Sequence, residues 1–112
     1  MMNYHDKQFK VVSNSDNGNV SEGMIFHYQQ IGEILSCEYE GTNISEGHLI
    51  GAVDEDGCIN FRYRQLNERG EEVSGICFST PEIMENGKIR LHESWRWTSG
   101  DQSNGESILE EQ

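Results

Sequence analysis

The sequence predicts an all-β protein, an eight-stranded antiparallel meander that closes into a small lipocalin-like barrel. Three observations point there. Turn-forming breaks recur at short intervals: SNSDNGN at 13–19, Gly32, EGTN at 40–43, DEDG at 54–57, NERG at 67–70, ENG at 85–87 and SGDQSNG at 99–105. The runs between them are rich in Ile, Val, Phe, Tyr and Trp, the pattern of strands joined as hairpins. No segment shows a helical period, and the longest candidate, 106–111, is too short to stand alone.

The elements follow in order. Strands are expected near 8–13, 23–30, 33–40, 46–53, 58–66, 72–80, 88–97 and, as the eighth, 106–111. Side chains alternate faces along a strand, so each run has an inward and an outward row. The inward rows read Phe26 and Tyr28; Leu35, Cys37 and Tyr39; Leu49, Gly51 and Val53; Ile59, Phe61 and Tyr63; Val73, Gly75 and Cys77; and Leu91, Glu93, Trp95 and Trp97. The opposite rows carry His48, Asn60, Arg62, Arg64, Arg90, His92 and Arg96. One face is apolar and the other wet, as an antiparallel sheet allows.

A flat meander would leave two long edges and a bare apolar face, so the sheet should curl shut. Pairing of 106–111 with the N-terminal strand would complete the ring. Gly51 and Gly75, mid-strand on the inner face, either permit the sharp coil of a small barrel or mark bulges.

At 112 residues the chain is one domain, spanning 1–112, with 1–7 and 111–112 expected to be flexible ends. A net charge of −12 and a pI near 4.5 argue against nucleic acid and anionic membranes as partners. No run approaches the ~20 apolar residues of a membrane helix, and the opening MMNYHDKQFK lacks a signal-like apolar core, so a cytoplasmic location is expected. Cys37, Cys58 and Cys77 form no CxxC pair and read as reduced thiols. The four histidines share no ligand spacing, and no phosphate loop precedes a helix, so neither a metal nor a cofactor is expected. The oligomeric state is left as monomer or homodimer.

One residue breaks the pattern. Glu93 stands in an otherwise apolar row beside Trp95 and Trp97. An eight-stranded barrel either fills its interior or holds one small ligand, so an inward carboxylate needs a partner, a water or a ligand. A protein partner, such as an inward arginine, the hydroxyl of Tyr28 or Tyr63, or backbone amides, would make Glu93 structural. Without one, burial should raise its pKa and fit it for ligand binding or general acid/base work. Phe61, Tyr63, Glu93, Trp95 and Trp97 are the candidate ligand-binding residues, and Glu93 is the one candidate catalytic residue. A small-molecule-binding barrel is the first expectation. An acyl-transfer enzyme with Glu93 as base, or an interaction module that offers an edge strand, are the alternatives.

The runs IFHYQQ at 25–30, GHLIGAVDEDGCINFRYRQLN at 47–67, GICFSTPEI at 75–83 and NGKIRLHESWRWTSGDQSNGESILEE at 86–111 resemble a family of small bacterial proteins. That family carries the label N-acetylglutamate synthase. The resemblance covers about Phe9 to Glu111. It implies acetyl transfer from acetyl-CoA or acetylornithine to glutamate. Two such anionic substrates would require a local cationic pocket, for which Arg62, Arg64 and Arg96 are the available residues.

Overall fold

The computed structural model describes residues 2–15, 22–41 and 43–112; most of the first break, 16–21, lies outside them. The described residues form nine strands and no helix: β1 (Gln8–Asn14), β2 (Ile25–His27), β3 (Gln29–Ile31), β4 (Ile34–Gly41), β5 (Ile44–Val53), β6 (Ile59–Asn67), β7 (Glu72–Ile83), β8 (Ile89–Trp97) and β9 (Asn104–Glu111). They make one antiparallel sheet in the order β2-β1-β9-β8-β7-β6-β5-β4-β3.

The ninth strand arises from a break in an expected one. Residues 23–30 were read as a single strand, and the segment divides at Tyr28 into β2, which pairs with β1, and β3, which pairs with β4 and runs on to Ile31. Tyr28 donates its N–H to the Lys7 carbonyl and accepts from the Asp6 N–H, so it stays tied to the β1 side. One continuous segment therefore spans the seam between the two ends of the sheet. The result is an eight-pass barrel, nearly closed. The last strand joins the first, Val11 facing Leu109 and Lys10 facing Glu110.

Hairpin loops follow the turn chemistry. Gly57, Gly70 and Gly87 take φ of +85°, +77° and +83°, and each donates its N–H back to the residue that opens its loop, Asp54, Asn67 or Met84. Glycine adopts that left-handed conformation without the steric cost of a Cβ.

The mid-strand glycines have a different job. Gly47, Gly51, Gly75 and Gly105 stand directly opposite Tyr39, Phe61, Tyr63 and Trp95 across the ladder, and Gly75 also faces Trp97. A Cβ at Gly47, Gly75 or Gly105 would overlap the facing ring, and one at Gly51 would overlap the backbone at Asn60 and Phe61. The register shifts fall elsewhere, at Val11/Ser13, Tyr39/Gly41 and Ile44/Glu46, so neither glycine is a bulge: Gly75 seats the Tyr63 ring and Gly51 lets the β6 backbone approach closely.

Three expected boundaries need correction. Residues 1–7 were expected to be a loose end, yet Tyr4 is fully buried and donates its hydroxyl to the Gly57 carbonyl at 2.5 Å. Its ring meets Phe9 and Tyr28 at centroid distances of 5.9 and 6.3 Å, an aromatic plug at one end of the barrel. Glu111, also expected to be loose, belongs to β9 and accepts from the Ile89 N–H and Lys7 Nζ. β7 runs past its expected end at 80 through Pro81, where β6 has already stopped at its Ile59–Ser79 pair. A proline without an N–H is tolerated there because no strand waits on that side.

Candidate functional site

Inside the barrel, on the side away from the Tyr4 plug, the side chains leave a cavity of about 50 Å³. All five candidate binding residues line it: Phe61 and Tyr63 from β6, and Glu93, Trp95 and Trp97 from β8. Their rings stand at steep angles to one another. Phe61 meets Tyr63 at 60°, Tyr63 meets Trp97 at 73° and Trp97 meets Trp95 at 64°, with centroids 5.4–6.2 Å apart. Such tilted contacts suit the ring quadrupoles, and they form walls around a corner rather than a stack.

Glu93 sits between two serines by register. Ser79 of β7 and Ser107 of β9 are its direct partners on either side. Ser79 Oγ donates to Glu93 Oε2 at 2.8 Å and Ser107 Oγ to Oε1 at 3.0 Å. These partners are neither the arginine, the tyrosine hydroxyl nor the amides expected from the sequence. A carboxylate has about four acceptor sites, and the two serines fill two. Burial pushes the Glu93 carboxyl above the usual range, and the two hydroxyl donors pull it only partly back. The group lies deep in the barrel, with its residual exposure toward the cavity.

No cation offsets this carboxylate. None of the eight Lys and Arg residues lines the cavity. Arg62, Arg64 and Arg96 are exposed on the outer face, so they do not build the cationic pocket that two anionic substrates would need.

Three polar residues of the site were missed in the sequence: Gln65, Ser79 and Ser107. Gln65 is 2% exposed and lines the cavity. Its Oε1 accepts from the Tyr39 hydroxyl at 2.9 Å, while its Nε2 is buried with no hydrogen-bond partner among the described residues. Ser79 and Ser107 are likewise buried. Continuing the period-two rows Ile59-Phe61-Tyr63 and Gly75-Cys77 by one step reaches Gln65 and Ser79, so the signal was present. Polarity hid them, because a row reading keyed to apolar residues stops at the first polar one.

The remaining reactive groups are quiet. The three cysteines are free. Burial pushes the Cys37 thiol up to about 12 and that of Cys77 higher still, which leaves both protonated and poor nucleophiles. His27 meets Asp6 at 2.6 Å and His92 meets Glu82 at 2.7 Å, both on the outer surface. No group of three or more potential metal ligands occurs among the described residues, and no helix is long and apolar enough to cross a membrane.

Fold and cavity together define a small up-and-down β-barrel of the lipocalin-like kind, with an aromatic-walled interior that holds one carboxylate. The chain belongs to the avidin-like protein family, whose sequence pattern matches residues 2–112. No curated protein and no solved structure shows a match to it.

Proposed function

We propose that the protein is a small-molecule-binding barrel whose site is the cavity around Phe61, Tyr63, Glu93, Trp95 and Trp97. The observation that carries this reading is the set of unmet polar groups facing that space. Gln65 Nε2 is a buried donor without an acceptor, and Glu93 keeps free acceptor sites in apolar surroundings. An unsatisfied buried polar group costs about 1–3 kcal/mol, so a protein that retains one beside a cavity has reason to meet it with a ligand or water. Family membership supports the reading, since avidin-like barrels hold small molecules such as biotin.

The cavity of about 50 Å³ is below the ~300 Å³ of ordinary ligand pockets. The site therefore takes a small head group, and a larger ligand must displace a side chain or extend through the mouth. Free cysteines are in keeping with the cytoplasmic location read from the sequence.

The acetyl-transfer reading has less support. It needs cations near two anionic substrates, and the cavity offers a carboxylate instead. The edge-strand reading loses its basis, because both β1 and β9 already have two neighbours and the terminal strands β2 and β3 are three residues each.

The test is the thermal midpoint against biotin, acetyl-CoA, glutamate and a panel of small amines and alcohols. A ligand at about 100 times its Kd adds roughly 2.7 kcal/mol, a rise of ~10 °C for a domain of this size. A shift that vanishes in Trp95→Ala supports the site. If nothing in the panel moves the midpoint, the reading fails.

A further inference from the structure

The geometry points to a small protonated amine bearing an oxygen acceptor as the ligand class of this cavity, its N–H held by Glu93 and its oxygen by Gln65. This inference rests on the binding reading above and narrows it. It follows from what faces the cavity and from what does not.

The first consideration is charge. Glu93 is a buried carboxylate in a chain whose eight cationic side chains all lie outside the cavity. Lys7, Arg64, Arg69 and Arg90 are already engaged with surface carboxylates. The two serines solvate the carboxylate but do not neutralise it. An N–H on a cationic ligand supplies both a donor for a free lone pair and the missing charge. The net charge of −12 attracts such a cation at long range.

The second consideration is the walls. Phe61, Tyr63, Trp95 and Trp97 surround the space with rings at 60–73° to their neighbours. Ring faces attract cations, most strongly when the cation is desolvated, and methyl groups on nitrogen pack against them. The third is Gln65. Its Nε2 must meet an acceptor, and an ammonium alone has none, so the ligand carries a hydroxyl or carbonyl oxygen beside its amine. The fourth is size, since about 50 Å³ admits only a compact head group.

The groups facing Glu93 set its pH behaviour. Tyr28, Tyr39 and Tyr63 present hydroxyls, and Cys37 and Cys77 present thiols, whose titrations burial moves up and out of the neutral range. Ser79 and Ser107 do not titrate, and β1 and β5 offer the apolar Val11 and Leu49. Glu93, raised by burial, is then the carboxyl there whose ionisation a bound amine senses. The carboxylate form binds the ammonium, so amine affinity rises with pH as Glu93 ionises, with proton release on binding.

A matched pair of probes isolates the charge. 2-(Dimethylamino)ethanol, protonated at pH 7, and 3-methylbutan-1-ol have the same heavy-atom skeleton and differ in N–H⁺ against C–H. Binding is read from the fluorescence of Trp95 and Trp97, the two tryptophans of the chain, and by calorimetry. The expected result is at least tenfold tighter binding of the amine, a preference lost in Glu93→Gln, and amine affinity rising from pH 5 to 8 while that of the alcohol stays level. Equal or tighter binding of the alcohol overturns the inference, as does a wild-type amine affinity independent of pH, which needs no variant. If biotin or another ligand without a cationic amine binds and the amine does not, the amine class fails and the binding reading stands. If no probe of any class binds, both fail.

Discussion

At the residue scale, Glu93 makes stability depend on pH in an uncommon direction. Its carboxyl is raised in the folded state, whereas an unfolded glutamate titrates near about 4.3. Below that value both states are protonated and Glu93 costs nothing. Above it the unfolded chain ionises first while the native state keeps its proton, so stability falls by about 1.4 kcal/mol per pH unit until the native carboxyl ionises too. Glu93→Gln removes this slope. Urea midpoints of both proteins from pH 4 to 8 should show the variant gaining on the wild type with rising pH and then levelling off; a constant gap would mean the carboxyl is not raised. Glu82 and Asp101, which exposed hydrogen bonds hold below the usual range, act in the opposite sense but equally in both proteins. Ser79→Ala removes one of the two donors that hold the carboxylate, and it should move the Glu93 titration further up by NMR.

At the element scale, the barrel coils because small residues face large ones across the ladder. Gly75 is held between Tyr63 and Trp97, and a Cβ there meets the Tyr63 ring and the Arg96 carbonyl. Gly75→Ala should therefore cost about 1–3 kcal/mol or more through overpacking, and it should disturb the cavity wall at the same time. Gly87 offers a contrast. Its φ is +83° with nothing within 4 Å of a built Cβ, so Gly87→Ala should cost about 1–2 kcal/mol through backbone strain alone and leave ligand binding unchanged. Denaturant midpoints with a binding titration on each variant separate the two effects. Trp95 is the third element-level case. It covers Gly105 and walls the cavity, and Trp95→Ala should cost about 3–5 kcal/mol.

At the scale of the whole molecule, the barrel is plugged at one end by aromatic rings and keeps a cavity on the other side. Tyr4, Phe9 and Tyr28 fill the closed end, with ring centroids 5.1–6.3 Å apart. Tyr4→Ala should cost about 3–5 kcal/mol, as large aromatic truncations in cores do, which for this length lowers the thermal midpoint by well over 10 °C. Loss of only a degree or two would show that residues 2–7 merely lie against the barrel. Much of the architecture was legible in the sequence. Alternation put Leu35, Leu49, Ile59, Phe61, Leu91 and Trp95 inside, and the glycine- and asparagine-rich breaks located the hairpins, because both signals are local and periodic. The same alternation marked Glu93 as the residue out of place. What the sequence could not specify depended on register and closure. Which residues flank Glu93 is decided by how β7, β8 and β9 slide past one another, a one-residue question that puts Ser79 and Ser107, rather than a cation, beside it. The burial of Tyr4 and the split at Tyr28 follow from bringing the two ends of the sheet together. That contact joins residues far apart in the chain, and no local pattern encodes it.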